Sequence, residues 1–203
     1  MQAKFSYKTL NRPSVESLYK EKGSKFFGYA FPVESQDDID ECLTAIKKKH
    51  AKARHWCYAW QLGVDEVKYR FQDDGEPANS AGKPIYGQIQ SFDLTDVLIV
   101  VVRYFGGVKL GVGGLIHAYR EAAKEAVETS NIVEKQMQVT FELKFEYPHL
   151  NKVMRIIKEM NLEIVSQKME LDCSFLLRVP KISSNQVKKR IEDLRVVELK
   201  EIT

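Results

Sequence analysis

Hydrophobic period divides the chain into alternating strand-like and helix-like segments. Val97-Leu98-Ile99-Val100-Val101-Val102 is a continuous apolar run with no polar face. A strand of that kind has to be covered on both sides. Lys25 to Phe31 alternates instead, with Phe27, Tyr29 and Phe31 on one side and Pro32 as its stop. Arg54 to Gln61 reads as an aromatic strand, and Gly63-Val64-Asp65-Glu66 turns it back into Val67 to Phe71, a hairpin. Phe5 to Thr9 reads as a short edge strand. Helical spacing marks Ile39, Cys42, Leu43 and Ile46, with Ser35 as N-cap and Asp37 and Asp38 in the first turn. Ile85 and Ile89 mark a shorter helix. Leu115, Ala118, Tyr119, Ala122, Ala123, Ala126 and Val127 give a long one with a broad apolar face.

Beyond Lys135 the pattern changes. Val139, Phe141, Leu143 and Phe145 alternate with polar residues, and a helix follows through Leu150, Val153, Met154 and Ile157. Two strands (Leu162 to Met169, Leu171 to Val179), a helix capped by Ser183 or Ser184, and a last strand from Val196 to Ile202 complete the order βαββαβ. That order predicts a ferredoxin-like sandwich. The chain therefore reads as α+β with two domains, 1–135 and 136–203. The second shows no catalytic constellation.

Chemistry concentrates after the apolar strand. Gly106, Gly107, Gly111, Gly113 and Gly114 lie between it and the long helix. A glycine-rich turn at a helix N-terminus aims unpaired amides, and the positive end of the dipole, at one spot. Arg103 and Lys109 flank the turn, and His117, Arg120 and Lys124 follow at helical spacing. The pattern suggests an anion site, phosphate above all; tight strand–helix packing is the other reason for such glycines. No Lys-Ser or Lys-Thr pair follows the last glycine, so it is not a Walker loop. It also lacks the setting of a dinucleotide fingerprint.

Charge adds little beyond local patches. Net charge is +3, and residues 1–135 carry 19 Lys and Arg against 18 Asp and Glu. A generally basic nucleic-acid-binding domain is excluded. Lys47, Lys48, Lys49, Lys52 and Arg54 form one basic run, which either complements a helix C-terminus or meets phosphates. Trp56, Tyr58 and Trp60 are candidate stacking groups, with at most one face of their strand free.

The loop after the hairpin carries Asp73, Asp74 and Glu76 within four residues. Turn formation explains Asp and Gly there, and a divalent metal or acid/base role is the alternative. If this loop and the glycine turn emerge at one sheet edge, they form a composite site in which Mg²⁺ bridges to a bound phosphate. The structural alternative is a fixed salt bridge from Arg103 to Asp74 or Glu76. His55 and Cys57 share one strand face, which suits a hydrogen-bonded pair in the core or a Cys/His site. No zinc-ligand spacing exists. Three separated cysteines make no disulfide framework, and no apolar stretch has transmembrane or signal-peptide form, which predicts a cytoplasmic protein.

Three blocks, ARHWCYAW at 53–60, DDGEPANSAGKP at 73–84 and VVRYFGGVKLGVGGLIHAY at 101–119, together resemble the YigZ/IMPACT family. His55, Cys57, Ser80 and Lys83 fall in these motifs. The resemblance implies an IMPACT-type N-terminal domain with a left-handed βαβ fold, similar to GHMP kinases and part of a small-subunit ribosomal protein. It implies a second domain similar to the last domain of elongation factor G. Asn79-Ser80-Ala81-Gly82 stands where the family usually has Gly-Thr-Ala-Gly, and His117 where Lys or Arg is common. The function implied is a translation-associated regulator that binds RNA or ribosome-associated factors, with no cofactor, no membrane and no established reaction. An enzyme acting on a phosphorylated small molecule and a protein scaffold are the alternatives. Nothing in the pattern specifies an oligomeric state.

Overall fold

The computed structural model describes residues 5–202. It divides into two compact units, Tyr7–Lys135, and residues 136–202 with residues 5 and 6. The larger unit is built on a five-stranded sheet in the order β2-β3-β6-β4-β5. Its strands are β2 (Ser17–Glu21), β3 (Ser24–Pro32), β4 (His55–Leu62), β5 (Lys68–Gln72) and β6 (Val97–Tyr104). Every neighbouring pair is antiparallel. The apolar strand β6 sits in the middle, as its sequence requires, with Val97 to Val102 all fully buried. Each such side chain contributes roughly 1.5–3 kcal/mol of burial free energy.

Helix α1 (Gln36–Lys49) covers one face of the sheet, over Tyr29, Trp60, Leu98, Val100 and Val102. Its start is set by sequence: Ser35 accepts from the Asp38 amide, and the Asp38 carboxylate accepts from the Ser35 amide. This reciprocal capping box satisfies two orphan donors at once. Helices α2 (Gly82–Ser91) and α3 (Gly111–Glu128) cover the other face over Phe26, Cys57, Ile99 and Val101. The short edge strand expected over Phe5 to Thr9 is β1 (Ser6–Leu10), which pairs with β7 (Ile132–Gln136) in a separate two-stranded ribbon.

The smaller unit holds β8 (Gln138–Glu146), α4 (Leu150–Glu159), β9 (Glu163–Lys168), β10 (Asp172–Pro180), α5 (Ser184–Glu192) and β11 (Glu198–Ile202). The sheet order β11-β8-β10-β9 is that of a ferredoxin-like βαββαβ unit. Its core is the alternating set Phe141, Leu143, Phe145, Cys173, Phe175 and Leu177 under Val153, Ile157, Val187 and Ile191. One detail differs from expectation. No serine side chain caps α5, because a short 3-10 turn precedes it and the Ser183 and Ser184 hydroxyls donate backwards to Pro180 and Lys181 carbonyls.

Candidate anion-binding site

Strand β6 delivers successive side chains to opposite faces of the sheet. Arg103 therefore joins Phe26 and His55, its cross-strand partners, on the α2/α3 side. It is only 6% exposed. Its Nη1 donates to Glu76 Oε1 at 2.6 Å, and the Tyr119 hydroxyl donates to the same oxygen at 2.9 Å. The Phe26 and Phe105 rings each lie 5.6 Å from the guanidinium carbon. Arg103 Nε is buried with no partner. An unpaired buried donor costs roughly 1–3 kcal/mol, which an incoming acceptor would recover.

The glycine turn stands over this arginine. Gly107 and Gly111 have φ of +89° and +71°, values that exclude most side chains. Gly106 serves packing instead, since a Cβ there would sit 1.9 Å from the Gly23 carbonyl carbon. Helix α3 begins at Gly111, four residues before Leu115, the first residue of its apolar face, because the glycines form its first turn. No side chain caps that turn and no acidic residue occupies it. Its amides thus have no intrahelical acceptor. They border a cleft of about 350 Å³ lined by Glu76, Arg103, Phe105, Lys109, Val112 and Leu115, among others.

His117 and Arg120 are exposed further along α3 and do not line this cleft. At about 3.6 residues per turn, His117 and Arg120 lie roughly one and a half and two and a half turns beyond the helix start at Gly111. His117 meets Tyr19 edge-on instead. Lys124 pairs with Glu128 at 3.7 Å. Lys47 and Lys48 are exposed in the last turn of α1, where they complement its dipole, and Lys49 pairs with Glu16 at 2.8 Å. Lys52 and Arg54 do approach the site. With His55, Arg103 and Phe105 they line an adjoining cleft of about 290 Å³. Trp56, Tyr58 and Trp60 pack under α1, which removes them as stacking groups.

The acidic loop and the glycine turn meet, and they meet through the Arg103–Glu76 ion pair. The three carboxylates do not converge. Asp73 accepts from the Asn79, Ala81 and Gly82 amides and so fixes the entry to α2. Asp74, itself at φ +43°, accepts from the Trp56 amide at 2.8 Å. Among the described residues no three His, Cys, Asp or Glu side chains gather to hold a metal. His55 Nδ1 bonds the Asp74 carbonyl at 2.9 Å, and Ser80 donates to the Pro77 carbonyl at 2.6 Å. Lys83 is exposed at the start of α2. Cys57 Sγ lies 2.9 Å from the Asp73 carbonyl and 3.3 Å from the Tyr119 hydroxyl. Burial pushes its thiol far above the ordinary range, which leaves almost no thiolate to act as a nucleophile.

Residues 22–127 match the Impact N-terminal domain family. The chain belongs to the IMPACT family. An IMPACT family member of Haemophilus influenzae is 32% identical over 187 residues, 89% of this chain and 91% of its own. YvyE of Bacillus subtilis is 33% identical, covering 76% of this chain and 70% of its own, and YigZ of Escherichia coli is 31% identical, covering 78% of each. A crystal structure of a hypothetical protein is similar over 99% of both chains, with a TM-score of 0.78 at 25% identity. The motif residues of this IMPACT chain are thus mostly structural at one strand end. Phe105, 56% exposed at that end, is the functional candidate that periodicity does not single out. Its signal is an aromatic residue set between a buried strand and a glycine pair.

Proposed function

We propose that the protein is a translation-associated regulator that binds RNA at the strand end formed by Arg103, Phe105, Lys109 and the first turn of α3. The observation that carries this reading is that Arg103, whose buried Nε has no partner, lines the same cleft as an uncapped, glycine-built helix start. A phosphate there gains helix amides, the dipole and a buried guanidinium together. The remaining walls, Phe105, Val112 and Leu115, are apolar and suit a base or ribose rather than a second charge. Lys52 and Arg54 extend the cationic surface on the other side of Phe105. Membership of the IMPACT family, from whose resemblance a translation-associated role is inferred, supplies the biological setting. The raised Cys57 thiol and the separately bonded carboxylates favour binding over catalysis on this face.

Titration of a fluorescent single-stranded oligoribonucleotide tests the reading. With four phosphate contacts, affinity should fall roughly 50-fold between 50 and 200 mM salt. Lys109→Ala should weaken binding to all sequences equally and flatten the salt slope by about 0.7. Magnesium should add nothing, because each acidic side chain already serves protein donors. A salt-independent curve, or no binding at low salt, would remove RNA as the ligand.

A further inference from the structure

The opposite face of the sheet carries a polar chain whose last member, Tyr104, also borders the Lys52 and Arg54 cleft. Tyr104 follows Arg103 and points to the α1 side, where its hydroxyl lies 3.1 Å from His50 Nδ1. The other ring nitrogen, Nε2, lies 2.6 Å from the Tyr29 hydroxyl. Tyr29 in turn donates to Glu16 Oε2 in a short contact. Tyr29 and His50 are 5% and 7% exposed. The far end of the chain opens at Tyr104 into a cleft of about 370 Å³, lined by Gly23, Lys25, Phe27, His50, Tyr104 and Phe105.

Counting protons fixes the direction of every bond. Glu16 is ionised, since hydrogen bonds from Lys49 and Tyr29 hold its carboxyl below the usual range, so it only accepts. Tyr29 has one hydroxyl proton and gives it to Glu16. The Tyr29–His50 contact therefore needs its proton from His50 Nε2. A neutral imidazole protonated at Nε2 has a lone pair on Nδ1, and that lone pair faces the Tyr104 hydroxyl. A carboxylate thus orients a hydroxyl, the hydroxyl orients an imidazole, and the imidazole is the base for a phenol at a cleft wall. The order of roles is that of a nucleophile, its base and a third orienting group.

We propose that this cleft is an acid–base site in which Tyr104 exchanges a proton with a small anionic ligand held by Lys25, and His50 takes up the hydroxyl proton. In the forward step the ligand's proton passes to the phenolic oxygen as the tyrosine's own proton passes to His50 Nδ1. The ligand leaves as its conjugate base, and the imidazolium charge faces the Tyr29–Glu16 pair. The reverse step restores every group. The ligand class is a small carboxylate or phosphate ester with an exchangeable proton beside the anionic group. The charged and titratable groups around His50 are Glu16, Lys49, Tyr29 and Tyr104, with Lys25 across the cleft. Burial keeps the imidazole neutral at pH 7, the form that this arrangement needs.

The test measures withdrawal of the Tyr104 proton without knowing the ligand. N-acetylimidazole transfers its acetyl group to a phenolic oxygen as imidazole leaves and the phenol proton is lost. Peptide mapping by mass spectrometry gives the rate at each tyrosine, with the exposed Tyr147 as an internal standard. At pH 8 half-buried Tyr104 should react faster than Tyr147, by about 100-fold if His50 contributes at the low end of a positioned base. His50→Gln should drop Tyr104 to or below the Tyr147 rate, and in the wild type the advantage should persist at pH 6.5 and fade only as pH falls through the lowered folded value. Glu16→Gln, at a partly exposed position, gives an intermediate rate and serves if His50→Gln unfolds. A Tyr104 rate below that of Tyr147 in the wild type, or one unchanged by both substitutions, overturns the proposal. No RNA enters the assay, so its failure and the failure of RNA binding are separate results.

Discussion

Arg103 and Tyr104 are neighbours at the end of β6, yet they close two networks of opposite character on the two faces of one sheet. On the α2/α3 face a fixed cation meets one carboxylate oxygen, which also takes the Tyr119 hydroxyl. The cation there is fixed, because guanidinium does not titrate, and Glu76 accepts from both Arg103 and Tyr119. On the α1 face two phenols and an imidazole, which can both donate and accept, end on the Glu16 carboxylate, which only accepts. The first network holds loops and leaves one donor free for an anion. The second can change state. The same strand geometry produces both, and residue chemistry alone separates them.

The largest expected effect breaks the rigid side. Glu76→Ala leaves Arg103, whose side chain is 7% exposed, as an uncompensated buried charge. Removing one partner of such a pair costs about 3–5 kcal/mol. Urea denaturation should show that loss in midpoint with little change in slope. A loss under about 1 kcal/mol would mean that water or a moved side chain replaces Glu76, and that the pair does not pin the two loops.

A smaller effect separates the faces by pH. Burial lowers the His50 pKa from its ordinary 6.5, so the unfolded chain takes up this proton first as pH falls. The contribution is fully present above about 6.5 and drains as pH drops toward the folded value. His50→Gln should remove that limb of the stability curve and leave the Arg103–Glu76 side untouched. Glu16 acts in a lower window. Its depressed carboxyl gives stability that is present above about 4.5 and lost as pH falls through the folded value. Thermal melts every half unit from pH 8 to 4 resolve the two limbs. An unchanged profile between pH 7 and 5 in His50→Gln would show that the imidazole is not held neutral by the fold.

Much of this architecture is legible in the sequence. The six apolar residues of β6 announce a central strand, Ser35 and Asp38 announce the start of α1, and the alternation in β8 and β10 announces the second sheet. Strand β2 is not legible, because its inward residue is Ser17 while Leu18 is 42% exposed. Strand β7 alternates only between exposed and partly covered positions, so its period carries no hydrophobic signal. At the site, the glycines, Arg103 and Lys109 are readable from their order along the chain. His117 and Arg120 do not line the cleft with them, because helical spacing fixes a face and not a distance from the helix end. His50 is hidden by its neighbours. After three lysines it reads as one more solvated residue, and nothing local shows that Tyr29 and Tyr104 close around it from 21 and 54 residues away.

The smallest expected effect tests where the α1-side network ends. Lys49 reaches Glu16 at 2.8 Å and lies 4.9 Å over the Tyr29 ring, so it touches two members of the chain. Its side chain is 53% exposed and that of Glu16 is 37% exposed. Water screens such a pair, and immobilising a long side chain offsets part of the attraction. Lys49→Met keeps the apolar stem over the ring and removes only the charge. Stability should fall by about 0–1 kcal/mol, less at high salt. The Glu16-dependent limb of the pH profile should shift slightly upward and survive, because Tyr29 still donates to the carboxylate. A loss above about 2 kcal/mol exceeds what an exposed pair supplies. Lys49 would then belong to the proton chain, and the α1 face would be pinned by a fixed charge as its opposite is.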